Sequence, residues 1–278
     1  MAKCKSCGAE MPKRESVCSH CGSDNSVMLG SLTIEGGSLT IKNGASLTIG
    51  AGQHVTEGGD GDIFEAVSQD DLGVVKKLAS SEDVINSTNE SGQTPLFVAS
   101  GLGHLEIARF LISKGAEVNV SDDAGTTPLI LAALNGHHET VRLLLEHSAD
   151  ANARDEDGTT PLIGACNGNS LESVQLLVEH GADVNGLNNQ NLNPLHVTAQ
   201  FGSVEIAKYL IAKGTDVNWK GAQDNTPLHS AAIKNRIDIV KCFVEAGADV
   251  NAITSGSKKN PAGLSKDPKV KEYLNSRK

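Results

Sequence analysis

The chain has 278 residues, 38% hydrophobic and 3% aromatic, so it is long enough for more than one domain and predicts an aliphatic core. No apolar run approaches the roughly 18 residues that a transmembrane helix needs, which argues against a helical membrane protein. Residues 60–253 hold 12 basic and 27 acidic residues, whereas residues 254–278 hold seven basic and two acidic ones. The acidic part disfavours nucleic acid and favours a partner with a basic surface, or it serves solubility alone.

The beginning of the chain, MAKCKSCGAE, has no apolar stretch of the kind that marks a secretory signal, so a cytoplasmic protein is expected. Four of the six cysteines form two CxxCG motifs that are separated by ten residues. These cysteines are Cys4, Cys7, Cys18 and Cys21. Without a secretion signal such pairs favour a metal over disulfides, because CxxC lets both thiolates of one turn reach the same ion.

We therefore expect residues 1–26 to bind one structural Zn²⁺ and to fold on it, since so short and polar a segment has no core of its own. His20 could replace a ligand, but beside four cysteines we interpret it as an exposed side chain. The segment resembles the zinc-ribbon modules at the start of many bacterial and archaeal proteins. Four cysteine ligands leave no open position for catalysis, and the absence of aromatic residues argues against nucleic-acid binding by this module.

The next segment, residues 27–59, is rich in glycine and predicts a short β structure. It contains three copies of Leu-Thr-Ile, in which apolar and polar residues alternate as in half-buried strands. The copies are Leu32–Ile34, Leu39–Ile41 and Leu47–Ile49. They fit either a small meander or the rungs of a β-solenoid. We interpret the segment as a spacer or packing element, with self-association through exposed strand edges as the alternative.

The glycines in this segment suggest a register for the meander. A two-residue turn at Gly36-Gly37 would pair Ile34 with Leu39. A three-residue loop after the second strand would then place Ile41 opposite Leu47, which keeps one Leu/Ile face.

From about residue 60 onward, a block of 33 residues recurs without a change of phase. The strings TPLFVA, TPLILA, TPLIGA, NPLHVT and TPLHSA begin at Thr94, Thr127, Thr160, Asn193 and Thr226. A period of this length predicts stacked units, and the residue types predict two helices in each. The threonine suits the N-cap of the first helix, and the proline suits its first turn.

The end of the second helix also repeats. A glycine follows it in most repeats, at the position where a left-handed backbone ends a helix with little strain. These glycines are Gly115, Gly181, Gly214 and Gly247. Ser148 occupies the same position in one repeat, where a left-handed conformation should cost about 1 kcal/mol.

The TPLHxA pattern, the GxxE link between helices and the GADVN endings at Gly181–Asn185 and Gly247–Asn251 resemble the ankyrin-repeat family. The resemblance covers about 215 of the 278 residues. It implies a mainly α solenoid at residues 60–278, with five full repeats and capping repeats at about 60–93 and 259–278. A scaffold of this kind is expected to bind proteins, because a solenoid does not enclose a buried catalytic pocket.

The resemblance also implies where a partner binds: on the concave face, along the hairpin tips and the ends of the first helices. An acidic patch is expected from Asp122, Asp123, Asp155, Glu156 and Asp157, with apolar anchors beside it. The partner is expected to present basic residues to this patch and an apolar segment to Phe201. The full set of predicted partner-binding residues is Leu102, Asp123, Leu134, Asn135, Glu156, Asp157, Asn189, Gln190, Gln200, Phe201, Ile233 and Lys234.

The sequence gives little support for an enzyme. No phosphate-binding glycine motif, no GxSxG and no HExxH is present. His196 and His229 stand at the TPLH position, where the resemblance implies hydrogen bonds within the scaffold, and Cys166 falls on a buried helical position. We expect a non-catalytic scaffold or adaptor. The alternatives are a zinc-dependent nucleic-acid-associated factor recruited through its repeats, and an effector delivered into a host cell.

Overall fold

The computed structural model describes residues 62–201 and 203–277, and five short strands nearer the N-terminus. The four cysteines expected to bind zinc lie outside the described residues. The chain forms two compact units, one of residues 31–183 and one of residues 1–30 with 184–278. We call their helical parts the first repeat unit (residues 62–183) and the second repeat unit (residues 184–277).

The strands are short and antiparallel. They are β1 (Ala2–Lys3), β2 (Glu10–Met11), β3 (Thr33–Glu35), β4 (Ser38–Thr40) and β5 (Ser46–Leu47). β1 pairs with β2, and β4 lies between β3 and β5. Ile34 pairs with Leu39, as a turn at Gly36-Gly37 predicts. Leu47 pairs with Leu39 and not with Ile41, so the second register is shifted by two residues from the predicted one because the connection is longer than three residues.

The first repeat unit consists of helix pairs that stack in two layers. Its helices are α1 (Ile63–Ser68), α2 (Leu72–Leu78), α3 (Glu82–Ile85), α4 (Pro95–Leu102), α5 (Leu105–Ser113), α6 (Pro128–Leu134), α7 (His138–Glu146), α8 (Pro161–Asn167) and α9 (Leu171–Glu179). In one layer α1 packs on α4, α4 on α6 and α6 on α8; in the other α2 packs on α5, α5 on α7 and α7 on α9. The first three helices form the N-terminal cap.

The second repeat unit follows the same plan. Its helices are α10 (Pro194–Phe201), α11 (Val204–Ala212), α12 (Pro227–Ile233), α13 (Ile237–Glu245), α14 (Pro261–Leu264) and α15 (Pro268–Asn275), with a short 3₁₀ turn at Ala222–Asp224. Here α10, α12 and α14 form one layer, and α11, α13 and α15 form the other. The last two helices are the C-terminal cap. No described helix has the length and apolar character needed to cross a bilayer.

The predicted helix signals operate as expected. Thr94 Oγ1 accepts a hydrogen bond from the Phe97 amide at 3.1 Å, and Thr127 and Thr160 cap α6 and α8 in the same way. The cap satisfies an amide that has no partner inside the helix. The four predicted C-terminal glycines have φ between 85° and 92°, and Ser148 adopts φ 65° at the matching position.

The core of both units is aliphatic, as the composition predicts. In the first unit Leu96, Ile107 and Leu129 are almost completely buried. In the second unit Leu195 and Leu210 are fully buried. Burial of side chains of this size contributes about 1.5–3 kcal/mol each, so stacking of the helix layers is the main source of stability.

A regular set of asparagines links each repeat to the next one. The side-chain amide of Asn119 donates to the Ser148 carbonyl at 3.1 Å, and its oxygen accepts from the Asp150 amide at 2.9 Å. Asn86 and Asn152 make the same two bonds in the first unit, and Asn185 and Asn218 make them in the second. In every case the partners lie 29 and 31 residues ahead. The spacing holds neighbouring repeats at one fixed offset.

Candidate functional site

The hairpin tips of the first unit lie at residues 89–93, 122–126 and 155–159, between consecutive helix pairs. Each tip is closed by a side chain that accepts from backbone amides of its own turn. Asp122 Oδ1 accepts from Ala124 N at 3.0 Å and from Thr126 N at 2.9 Å. Asp155 Oδ1 accepts from Thr159 N at 2.7 Å. Such turns fix the backbone of the tip and therefore the direction of the exposed side chains beside them.

Asp122 and Asp155 are consequently part of the scaffold and contribute less to the exposed acidic surface than the sequence suggests. Both are only half-exposed, and burial is the main cause that raises the pKa of each carboxyl above its ordinary value. Hydrogen bonds from the turn amides act in the opposite direction, because they stabilise the charged form.

The exposed acidic residues of the first unit are Asp123, Glu156 and Asp157, which we call the acidic tips. Their backbones are joined: the Asp123 amide donates to the Ser91 carbonyl at 3.1 Å, and the Glu156 amide donates to the Ala124 carbonyl at 2.9 Å. Successive tips therefore lie side by side within the unit, and their carboxylates are presented in a row. All three were predicted as partner-binding residues, and all three are exposed.

The approach of two tips explains one glycine. Gly92 has φ 73°, which favours glycine, and a Cβ at this position would lie 2.5 Å from Oδ1 of Asp123. A side chain at residue 92 would displace the Asp123 carboxylate. The glycine thus keeps that carboxylate in place at the first junction of the row.

The groove beside the acidic tips contains apolar side chains at the ends of the first helices. Leu102 and Leu134 are half-buried at the ends of α4 and α6. The Asn135 side-chain amide donates to the Gly101 carbonyl at 2.9 Å, and His137 Nε2 lies 3.0 Å from the same oxygen. Asn135 was predicted to contact a partner, but its amide instead holds two helix ends together.

In the second unit the predicted residues have a different electrostatic environment. Phe201 and Ile233 are half-buried, whereas Lys234 and Arg236 are exposed. An Arg236 guanidinium nitrogen lies 3.4 Å from the Gln200 carbonyl oxygen and donates to it. This groove is therefore apolar and basic.

The remaining predicted positions lie on the first tip of this unit. Asn188 Oδ1 accepts from the amides of Gln190 and Leu192, both at 3.0 Å, which closes the tip as Asp122 does elsewhere. Asn189 is exposed and Gln190 is half-buried. Both remain candidates for partner contact.

The two units differ strongly in charge, which revises the predicted arrangement of anchors. The first unit holds 20 acidic and six basic residues, whereas residues 184–277 hold eight acidic and 12 basic ones. Leu102 and Leu134 belong to the unit that carries the acidic tips, and Phe201 and Ile233 belong to the other unit. A basic, apolar partner segment therefore matches Leu102 and Leu134 better than it matches Phe201.

The buried histidines have the scaffold role that the sequence predicts. His196 Nδ1 lies 2.7 Å from Asn193 Oδ1, and its Nε2 lies 2.9 Å from the Asn225 carbonyl oxygen. His229 Nδ1 accepts from the Thr226 amide at 3.1 Å, and its Nε2 lies 3.1 Å from the Ala252 carbonyl. Burial lowers the pKa of both histidines to about 4. Both rings are therefore neutral at pH 7.

The cysteines of the repeats lie in the packed interior. Cys166 in α8 is fully buried, and Cys242 in α13 is nearly so. Burial is also the main cause that raises the pKa of the Cys242 thiol. A buried, protonated thiol is a poor nucleophile, since the thiolate is the reactive form. Within residues 62–201 and 203–277, no group of three or more His, Cys, Asp and Glu side chains is placed to hold a metal ion.

One exposed apolar residue escaped the sequence analysis. Ile253 has 51% of its surface exposed, and it stands beside a tip that carries the exposed Lys258 and Lys259. Alignment of the repeats at their 33-residue phase would have shown it, because Ser121, Arg154 and Lys220 occupy the same position in other repeats. An isoleucine among polar equivalents is the available signal.

Comparison with known proteins agrees with the repeat architecture. A family model described as "Ankyrin repeats (3 copies)" matches residues 63–155, 114–188, 147–221 and 186–254. The human ASB11 ankyrin repeat domain shares 27% identity at a TM-score of 0.71, and the match covers 78% of this chain and 98% of that one. The ankyrin repeat domain of Bcl-3, described as a unique member of the IkappaB protein family, shares 29% identity at a TM-score of 0.65, covering 79% and 100%. A comparison with curated proteins gave no match.

Proposed function

The chain belongs to the ankyrin-repeat family, and from this premise we propose that it is a non-catalytic adaptor that binds a protein through the acidic tips and the adjoining groove of its first unit. Repeats of this family typically mediate protein–protein interaction. The observation that supports this surface is the row of exposed carboxylates on hydrogen-bonded tips, next to half-buried Leu102 and Leu134. Interfaces concentrate their binding energy in such apolar positions surrounded by polar groups.

The partner we propose presents a basic segment that carries an apolar side chain. The charges of the first unit attract such a segment over a distance, and the leucines provide a place where water is excluded. Reversal of the acidic tips should reduce the association rate and remove most of the dependence on salt, because exposed charges act chiefly through long-range attraction.

The experiment is capture of partners from native lysate with nuclease treatment, by the full chain and by the variant D123K/E156K/D157K. The matched control is E146K/E172K/E179K, which makes the same change in net charge at exposed positions of the second helices. We expect a protein that is retained by the wild type and the control but is lost, or bound at least about tenfold more weakly, by the tip variant. Equal capture by all three proteins would exclude the acidic tips as the binding surface.

For the N-terminal segment we propose one structural Zn²⁺ bound by Cys4, Cys7, Cys18 and Cys21. Four thiolates match the preference of this ion, and when bound it would supply the folding energy of a segment without a core. Cys4 and Cys7 fall in the connection between the paired strands β1 and β2, which brings the two ends of the first CxxC motif near each other. Thiolate ligands require a reducing compartment, which agrees with the proposed cytoplasmic location.

The zinc proposal is tested by elemental analysis of the full chain. We expect one zinc per chain in the wild type and in H20A, and none in C4S/C7S. Zinc retained by C4S/C7S would contradict the proposal. Its loss in H20A would make His20 a ligand instead.

The same capture experiment distinguishes the proposal from a second function. A zinc-dependent nucleic-acid-associated factor would lose its partners after nuclease treatment or in C4S/C7S, and it would keep them in the tip variant. That pattern would transfer the binding function from the repeats to the N-terminal module. An effector that acts in a host cell would instead capture its partner from a host lysate and not from that of the producing cell.

A further inference from the structure

The row of hairpin tips has an unused hydrogen-bond donor at one end and an unused acceptor at the other. Within the units, each tip donates from one fixed position to the preceding tip, as Asp123 does to Ser91 and Ser255 does to Gln223 at 2.9 Å. The equivalent donor on the first described tip is the Glu90 amide, 33 residues before Asp123. No acceptor for it lies among the residues that the structure describes.

The C-terminal end shows the opposite vacancy. The accepting position recurs at Ser91, Ala124 and Gln223, and its equivalent on the last tip is the Gly256 carbonyl. Within the described part of the chain, nothing donates to that oxygen. The two vacancies are complementary, because Glu90 lacks the acceptor that Gly256 provides.

The two caps also carry opposite charge. Residues 62–90, the N-terminal cap and first tip, hold seven acidic and two basic residues. Residues 254–277, the last tip and C-terminal cap, hold six basic and two acidic ones. Caps are normally polar on the outer face so that repeats do not stack on other molecules. Opposite charges retain solubility but make one cap complementary to the other.

The last tip is firmly held and bears an apolar residue. Thr254 N donates to the Lys259 carbonyl at 3.1 Å, and the hydroxyls of Thr254 and Ser257 lie 2.7 Å apart. Lys258 and Lys259 therefore extend from a fixed turn, next to exposed Ile253. An apolar side chain beside two fixed cations is suited to a complementary acidic surface.

We propose that the chain associates with a second copy of itself, head to tail, through these caps. The last tip of one molecule docks on the first tip of the next, so that the Glu90 amide donates to the Gly256 carbonyl. Lys258 and Lys259 then face the acidic group of Glu82, Asp83 and Glu90. The contact joins two different surfaces, so each added copy leaves the same two surfaces free, and assembly is open-ended.

The association is expected to be weak and dependent on salt. It rests on exposed charges and a small apolar contact, and the net charge of −10 opposes it at long range. Between 0.1 M and 1 M salt the Debye length falls from about 10 Å to about 3 Å, so the cap attraction should be largely lost.

The test is sedimentation velocity on the full chain over a concentration series at low and high salt. Two charge-reversed variants are used, E82K/E90K and K258E/K259E, with E146K/E179K as the control for net charge. None of the changed residues caps a helix, and all are exposed. We expect association of the wild type and the control at low salt, and a loss of at least about tenfold in each cap variant.

The decisive sample is an equimolar mixture of the two cap variants. In a head-to-tail contact the reversed acidic cap of one variant meets the reversed basic cap of the other, and their intact caps also match. Association should therefore return in the mixture. In the wild type, the Glu90 amide should also exchange more slowly at high concentration.

Two outcomes would overturn the inference. A wild type that stays monomeric at low salt, at the highest soluble concentration, would exclude the contact. Association that is equal in all variants and in the mixture would assign it to another surface, and the strands at residues 27–59 would be the next to test. Neither result depends on the external partner, because every sample contains this chain alone.

Discussion

Adjacent aspartates on one tip have different roles. Asp123 offers its carboxylate to solvent, whereas Asp122 uses its carboxylate to close the turn. Asn89 and Asn188 stand at the phase of Asp122 in other repeats and make the same bonds with an amide oxygen. The turn therefore needs an acceptor and not a charge.

This difference leads to a prediction for Asp122. Because its pKa is raised in the folded state, the ionised form is penalised there, and stability declines as the pH rises from the unfolded pKa through the folded one. Asp122→Asn keeps the acceptor and removes the penalty, so it should be neutral or stabilising at pH 7. Asp122→Ala leaves two turn amides without their acceptor and should cost about 1 kcal/mol. Urea unfolding followed by circular dichroism measures both.

A destabilisation of Asp122→Asn as large as that of Asp122→Ala would show that the charge itself holds the tip. The assignment of roles could have been reached from the sequence by comparing residues at one phase. The raised pKa could not, because it depends on burial between neighbouring tips.

The end of each second helix offers a matched pair of substitutions. Ser148 adopts φ 65° after α7, and Gly115 adopts φ 92° at the same position after α5. A Cβ at Gly115 would have nothing within 4 Å, so only backbone strain is involved there. We expect Ser148→Gly to stabilise the protein and Gly115→Ser to destabilise it, each by about 1 kcal/mol.

Thermal or urea unfolding of the two variants and of the double variant checks this pair. The two sites belong to separate helices, so the double variant should resemble the wild type. A destabilising Ser148→Gly would mean that the serine side chain has a role beyond its backbone conformation.

At the scale of elements, much of the helical fold could be predicted. Thr94 and its equivalents indicated the starts of the first helices, and Gly115 and its equivalents indicated the ends of the second ones, because each signal acts on a local backbone group. The pairing of Leu47 with Leu39 was not predicted, since the length of a glycine-rich connection is not determined by its composition. The engagement of Asn135 with Gly101 was also missed, because it joins atoms 34 residues apart.

The whole molecule combines two units with different chemistry. The division between residues 183 and 184 has no counterpart in the repeat phase, which runs through it unchanged. The change of charge is visible in the sequence, but its importance depends on where the units divide. The acidic tips and Phe201 were therefore assigned to one surface when the repeats were read as a single series.

The buried histidines should make the second unit sensitive to acid. His196 and His229 have a pKa of about 4 in the folded state, against about 6.5 in an unfolded chain. Their contribution to stability is complete above pH 6.5 and is lost as the pH falls from 6.5 toward 4. Between pH 7 and pH 5 the loss should be about 2 kcal/mol per histidine.

The single tryptophan, Trp219, allows this loss to be assigned to one unit. It lies in the second unit, where its indole N–H donates to the Asn191 carbonyl at 3.0 Å. At pH 5 its fluorescence should report a lower urea midpoint than circular dichroism, which follows the helices of both units. In H196Q/H229Q the fluorescence midpoint should change less with pH than in the wild type. Coincident midpoints at pH 5 would contradict a localised acid response.

The asparagine bonds between repeats have a consequence for how this molecule can change over generations. Because each asparagine reaches exactly the same two backbone atoms of the following repeat, a deletion or duplication of 33 residues restores every bond, whichever asparagine it begins at. A change of any other size leaves one junction without its partners. The gene can therefore lengthen or shorten its product only in whole modules, and each such event alters how many tips are displayed without redesigning any of them.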